Sequence, residues 1–274
     1  MAETAEIAII GGSGLYDVDM IENPTEVTLV TPFGAPSDAI IVGTYKGKRV
    51  AFLSRHGRGH KFTPATVNYR ANIWALKQLG VKRILASNAS GSLQEHYKPG
   101  ELVLIDQFID RTKSRPSSFY EGKAAVHLSE HGLDKVCHVS SADPFCPDLR
   151  FHLARVAQKL NLPVHTAGTY VCIEGPRFST RAESKMFRQW GGDVIGMTAF
   201  PECVLAREAG ICYASVALVT DYDVWADKPV ENIDVLNTMK ENVHKVKQLF
   251  SAAIESLPEE RSCGCADATK NAFM

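Results

Sequence analysis

Two aspartates, Asp221 and Asp223, close the run from Ala214 to Thr220. That run is apolar, rich in small and β-branched side chains, and bounded too closely for a globular helix, so it reads as a buried strand. Carboxylates just past the C-terminal end of a strand sit where open α/β sheets place their ligands. Such a pair either caps a turn or handles a proton or an amine. Four other strand ends offer the opposite chemistry. Gly11-Gly12-Ser13-Gly14 follows the apolar run Ile7–Ile10 and presents backbone N–H groups and a hydroxyl, the makings of an anion nest. It lacks the third glycine of a dinucleotide fingerprint and the Gly-Lys-Ser/Thr of a P-loop. Arg55-His56-Gly57-Arg58-Gly59-His60 follows the strand-like Ala51–Leu53. An arginine there can grip a phosphate in two places and a histidine can add a further contact, although the loop reads equally as a basic surface turn. His56 and His60 have the spacing of a helical metal pair, but the two intervening glycines break the helix, so no metal is expected. Asn88-Ala89-Ser90-Gly91-Ser92 and Met197-Thr198 follow two further strands, and Thr198 is either a helix N-cap or an anion donor. An anion pole and an acid pole together suggest transfer of a group between a phosphate and a basic leaving group.

The elements that must position these residues alternate along the chain. Strands are expected at Ile7–Ile10, Ala39–Val42, Arg49–Leu53, Arg83–Ser87, Glu101–Ile109, Thr166–Ile173, Asp193–Met197 and from Ala214. Helices are expected at Val67–Leu79, ended by Gly80, and at Arg150–Leu160, Thr180–Trp190, Pro201–Ala209 and Asn232–Leu257. No repeat or linker interrupts this order, so a single α/β domain is favoured. Residues 111–146, rich in Ser, His and Pro, read as a long surface excursion. The net charge of -1 supplies no field for nucleic acid. No apolar segment is long enough to span a bilayer, and the polar, acidic start lacks the features of a signal peptide, so a cytoplasmic setting is expected. None of the seven cysteines forms a C-x-x-C pair, and a structural zinc site is not expected. Cys137, Cys146, Cys172, Cys203 and Cys212 lie in or beside apolar runs and read as buried thiols. Cys263 and Cys265 fall in a polar tail and read as exposed, either free or joined in a strained bridge.

The runs IIGGSGLYD (9–17), TPFGAPSD (31–38), SRHGRGH (54–60), NYRANIWALK (68–77), DQFIDRT (106–112), IEGPRFSTRAES (173–184), GMTAFPE (196–202) and TDYD (220–223) closely resemble the 5'-methylthioadenosine phosphorylases, members of the trimeric purine nucleoside phosphorylase family. The resemblance implies a central mixed, partly barrel-like sheet flanked by helices, in one phosphorylase domain over residues 1–258 with a polar tail over 259–274. It implies attack of phosphate on C1' of a methylthio-nucleoside and departure of adenine, with phosphate as co-substrate and no cofactor or metal. Ser13, Arg55, His56 and Thr198 would hold phosphate. So would Asn88 with Ala89, although relatives commonly carry a small hydroxyl residue where Asn88 stands. Ala89 and Phe178 would lie against the purine and Met197 against the ribose. His138 of a neighbouring subunit, with Val235 and Leu236, would line the methylthio pocket. A trimer or a dimer of trimers follows, with no nucleic acid or membrane partner. The C-G-C tail and the pair Cys146 and Cys212 resemble a thermophilic branch, which implies bridges Cys146–Cys212 and Cys263–Cys265.

The chemistry is consistent with those roles. Breaking the glycosidic bond places negative charge on the purine, and Asp221 at N7 could return a proton if its pKa is raised. Asp223 could accept from the N6 amine, and a site built to accept there rejects a 6-oxopurine. The competing readings are a 6-oxopurine phosphorylase, a hydrolytic nucleosidase and a non-catalytic adenine-nucleotide module.

Overall fold

Parallel strands covered on both faces read as nearly unbroken apolar runs, and four such runs form the centre of the computed structural model. It describes residues 3–12, 21–226 and 232–274, the side chains of 232–236 excepted. Strands β1 (Ile7–Gly11), β4 (Lys48–Ser54), β5 (Arg83–Ser92) and β11 (Cys212–Asp221) lie parallel in the order β4-β1-β5-β11. Gly11 pairs with Ser54, Leu218 with Ala89 and Asp221 with Gly91. The C-terminal ends that carry the candidate residues therefore share one edge.

Around this centre β3 (Ile40–Tyr45) extends one side antiparallel to β4, and β2 (Glu22–Val27) pairs antiparallel with β3. Beyond β1's reach, the end of β5 pairs with β10 (Val194–Gly196), which leads to β9 (Thr169–Ile173) and β7 (Gln107–Arg111). The outer edge of β11 takes β6 (Leu102–Leu104) and then β8 (Val164–His165). The mixed sheet is thus branched at β5 and not closed. The single strand expected at Glu101–Ile109 is two strands. Ile105 N–H donates to Ser215 O on one arm (3.1 Å), and Asp106 N–H to Gly168 O beside the other (3.3 Å), so the chain changes arms between them. Strand β2 was not expected: its Glu-Asn-Pro-Thr-Glu sequence is polar and exposed, and an edge strand tolerates proline.

Helices α1 (Tyr69–Gln78) and α4 (Ala199–Glu208) cover one face with Ile73, Leu76 and Leu205; α2 (Pro147–Lys159) and α5 (Asn232–Ser256) cover the other with Leu153, Val246 and Phe250. Asn68 caps α1 by accepting from Ala71 N–H, and α3 (Arg181–Gln189) opens on a capping box of Thr180 and Glu183. Helix α2 starts three residues before the expected Arg150 because Pro147 suits the first helical turn. Residues 111–146 are more than a surface excursion, since Phe119, Leu128, Leu133 and Phe145 are buried in the α1/α4 core. Nor is the C-terminal tail exposed throughout. Cys265 and Ala272 are buried. Ala272 O accepts from His138 N–H (2.7 Å), Met274 N–H donates to Val136 O (3.1 Å), and Phe273 meets the Tyr120 ring at 5.0 Å. Among the described residues no helix is long and apolar enough to cross a membrane.

Candidate active site

The shared strand edge opens into a cavity of about 340 Å³. Arg55, His56, Asn88, Ala89, Phe178, Met197, Thr198, Asp221 and Asp223 all line it. His138 does not; it is exposed elsewhere on the chain. Ser13 lies outside the described residues, with Gly12 beside it on the cavity wall, and the side chains of Val235 and Leu236 in α5 also lie outside them.

One end of the cavity gathers a buried cation and several hydrogen-bonding side chains. Arg55 is fully buried. Its Nε and Nη2 donate to the two carboxylate oxygens of Glu202 (2.7 and 2.8 Å), and Nη1 donates to Ser87 O (2.9 Å). Tyr213 O–H braces Glu202 from behind at 2.7 Å. Burial alone would lower the guanidinium pKa, but the Glu202 charge and its hydrogen bonds outweigh that and hold Arg55 charged. Three of its five N–H groups are used, which leaves two for a ligand. His56 Nδ1 lies 2.8 Å from Phe62 O and its ring stacks on His60 at 4.3 Å. A carbonyl only accepts, so Nδ1 carries the hydrogen and a neutral ring presents Nε2 as an acceptor. Burial, reinforced by the Arg55 charge, pushes this imidazole down to about 4, so it is neutral near pH 7.

Asn88 and Thr198 form a relay. Ser215 O–H donates to Asn88 Oδ1, and Asn88 Nδ2 donates to Thr198 Oγ1 (2.5 Å). The Thr198 oxygen thus accepts within the protein, and the Thr198 N–H donates to Tyr170 Oη (3.3 Å). Thr198 stands at the N-cap position of α4 without capping it through its side chain.

The other end is acidic. Asp221 Oδ2 accepts from Thr220 O–H (2.6 Å) and Oδ1 from Asp223 N–H (2.8 Å). Both carboxylate oxygens of Asp223 lie 2.9 Å from Ser179 Oγ, which donates to them. Burial raises the pKa of each above the ordinary carboxyl value, and the charge of Asp223 raises Asp221 further. Gly91 is required beside them: a Cβ there would stand 2.9 Å from Asp221 Oδ1. Strand β5 spans the cavity, with Asn88 in the cationic end and Gly91 in the acid end. Three residues of strand separate the two ends by roughly 10 Å. Phe178, 44 % exposed, offers a ring face at the rim.

A sequence profile of the phosphorylase superfamily matches residues 6–255. The S-methyl-5'-thioadenosine phosphorylase of Pyrococcus horikoshii is 58% identical over 270 residues, which are 98% of this chain and 99% of that one. The chain belongs to the phosphorylase superfamily, among the S-methyl-5'-thioadenosine phosphorylases. Solved phosphorylase structures have the same fold. A methylthioadenosine phosphorylase from an antarctic soil metagenomic library matches with a TM-score of 0.90 at 44% identity, over 100% of this chain and 93% of that one. The Schistosoma mansoni methylthioadenosine phosphorylase in complex with adenine also matches at 0.90, with 38% identity over 97% and 96%.

Sequence reasoning missed the residues that hold this phosphorylase site in place. Besides Glu202 and Tyr213, Arg115 is buried and donates from Nη1 to Met197 O (2.5 Å) and Phe200 O (2.9 Å), and from Nη2 to Glu174 O (2.6 Å). It fastens the loop carrying Thr198 to the loop that leads to Phe178. Its position next to Pro116 in a polar segment carries no local signal of that duty.

Proposed function

We propose that this enzyme catalyses the phosphorolysis of S-methyl-5'-thioadenosine to adenine and 5-methylthioribose 1-phosphate. The observation that carries the proposal is one cavity with an anion-holding end and a protonatable carboxyl end, fixed apart by a single strand. Phosphate binds to Arg55, Thr198 and the Ser13 loop. Neutral His56 accepts from the remaining P–OH of hydrogen phosphate. Asn88 acts through Thr198 by orienting its hydroxyl, and Ala89 lies against the bound substrates. The phosphate oxygen attacks C1', the C1'–N9 bond breaks, and its electron pair passes into the purine. Asp221 gives a proton to N7, while Asp223, held by Ser179, accepts from the N6 amine. Phe178 stacks on the base and Met197 packs on the ribose. No cofactor takes part.

Incubation with methylthioadenosine, with and without phosphate, tests the reaction. Adenine release is expected only with phosphate, and phosphate-independent release would make the enzyme a hydrolase. His56→Ala is expected to raise KM for phosphate by roughly 10–100-fold, the loss of one hydrogen bond to a charged ligand. KM for the nucleoside should change little, and initial-rate kinetics with each substrate varied check this.

The methylthio group is enclosed by Val235 and Leu236 of α5 and by His138 of a neighbouring subunit in a trimer or a pair of trimers. An exposed His138 remote from its own chain's cavity is what such lending requires. The tail holds the His138 backbone in place. Deleting Ala272–Met274 is therefore expected to raise KM for methylthioadenosine several-fold and to leave KM for phosphate near the parent value, as steady-state assays would show. A cytoplasmic location goes with this salvage chemistry.

A further inference from the structure

Three segments far apart in sequence bring four cysteines together on the face opposite α1 and α4. Cys146 precedes α2, Cys212 begins β11, and Cys263 and Cys265 flank Gly264 in the tail. Their four sulfur atoms all lie within 4.8 Å of one another, and Cys212 and Cys263 approach to 3.2 Å. None is bridged, and neither expected disulfide pair stands apart from the other. The C-x-x-C criterion overlooked this cluster because only two of its members are close in sequence.

The scaffold under the cluster is well fixed. Cys146 N–H donates to Tyr213 O (2.9 Å) and Cys212 N–H to Lys82 O (3.0 Å). Arg261 donates to Gly210 O (2.9 Å), Arg83 to Glu260 O (2.8 Å), and Ser262 O–H to Asp148 (2.6 Å), so the tail is tied down beside the sulfurs. Arg83, Arg155 and Arg261 line the adjoining cavity and outnumber Asp148 and Glu260 there. Cys146 also sits at the N-terminal, positive end of α2.

We propose that Cys146, Cys212, Cys263 and Cys265 form a closed tetrathiolate site for a soft divalent cation, zinc in the first instance. Four thiolates about 2.3 Å from zinc stand about 3.8 Å from each other in a tetrahedron, within the spacing found here. Binding is a proton exchange: four Cys S–H groups and Zn²⁺ give a dianionic zinc tetrathiolate and four protons, with no change of oxidation state. All four positions are filled by protein, so the ion has no open site for catalysis. Its effect is to staple the tail to α2 and β11. Neither the substrate nor the mechanism proposed above bears on this site.

The test is the metal content of full-length protein purified under reducing, metal-replete conditions and measured by elemental mass spectrometry. One zinc per chain is expected, with these four thiols protected from alkylation until a mercurial displaces the ion. Cobalt in its place should give the ligand-field spectrum of a tetrahedral tetrathiolate. Cys263→Ser and Cys265→Ser should each abolish stoichiometric zinc retention, whereas Cys137→Ser, outside the cluster, should not. Removing the ion with a chelator should lower Tm. Zinc-free protein whose four thiols are freely alkylated after incubation with Zn²⁺ would overturn the proposal. So would an intact mass lowered by two hydrogens per bridge at these positions under the same reducing conditions.

Discussion

Asp221→Asn is expected to lower kcat for methylthioadenosine phosphorolysis by roughly 10²–10⁴-fold, the usual contribution of a positioned general acid. The substitution preserves shape. The amide oxygen still accepts from Asp223 N–H and the amide nitrogen can donate to Thr220 Oγ1, so folding and substrate KM should change little. An amide can hydrogen-bond to N7 but cannot surrender a proton to it. The pH profile gives a second readout. Burial keeps the Asp221 carboxyl protonated to higher pH than an exposed aspartate, and kcat should fall as pH rises through that elevated pKa. Asp221→Asn should lose this alkaline limb along with the rate. Near-parent kcat with the limb intact would remove Asp221 from the proton transfer.

The second large effect is on stability. Glu202→Leu leaves the Arg55 guanidinium charged, fully buried and without its carboxylate. Breaking one side of a buried pair costs about 3–5 kcal/mol, which for a chain of this size is a fall in Tm of roughly 6–20 °C. The double variant Arg55→Met/Glu202→Leu removes the stranded charge and should recover much of that loss while still binding phosphate poorly. Calorimetry and phosphate titration on the same samples therefore separate the two duties of Arg55. If Glu202→Leu melts with the parent protein, the ion pair does not hold Arg55 in the way its geometry indicates.

Much of the candidate site was legible because its chemistry lies at strand ends that abrupt changes of composition announce. Asp221 ends an apolar run, and Arg55, Asn88 and Thr198 each follow one. The residues behind them were not legible. Glu202 is 147 positions from Arg55 and Arg115 is 82 from Met197, so no local pattern links them. Strand β2 was hidden because its position at the sheet edge demands no apolar face. The change of arms at Ile105 and Asp106 was hidden because both halves of the run are apolar and only their partners differ. The sulfur cluster shows the same limit: spacing reveals ligands on one loop, not ligands gathered from three segments.

Arg115 bears on the energetics of the catalytic cycle. Its guanidinium grips carbonyls of the Met197–Phe200 loop and of Glu174, ahead of Phe178. The entropy of ordering the anion-side and base-side loops is thereby lost once, as the chain folds, and is not lost again whenever phosphate or nucleoside arrives. Either co-substrate then meets a half-site already in register with the other, and more of its contact energy remains for distorting the glycosidic bond.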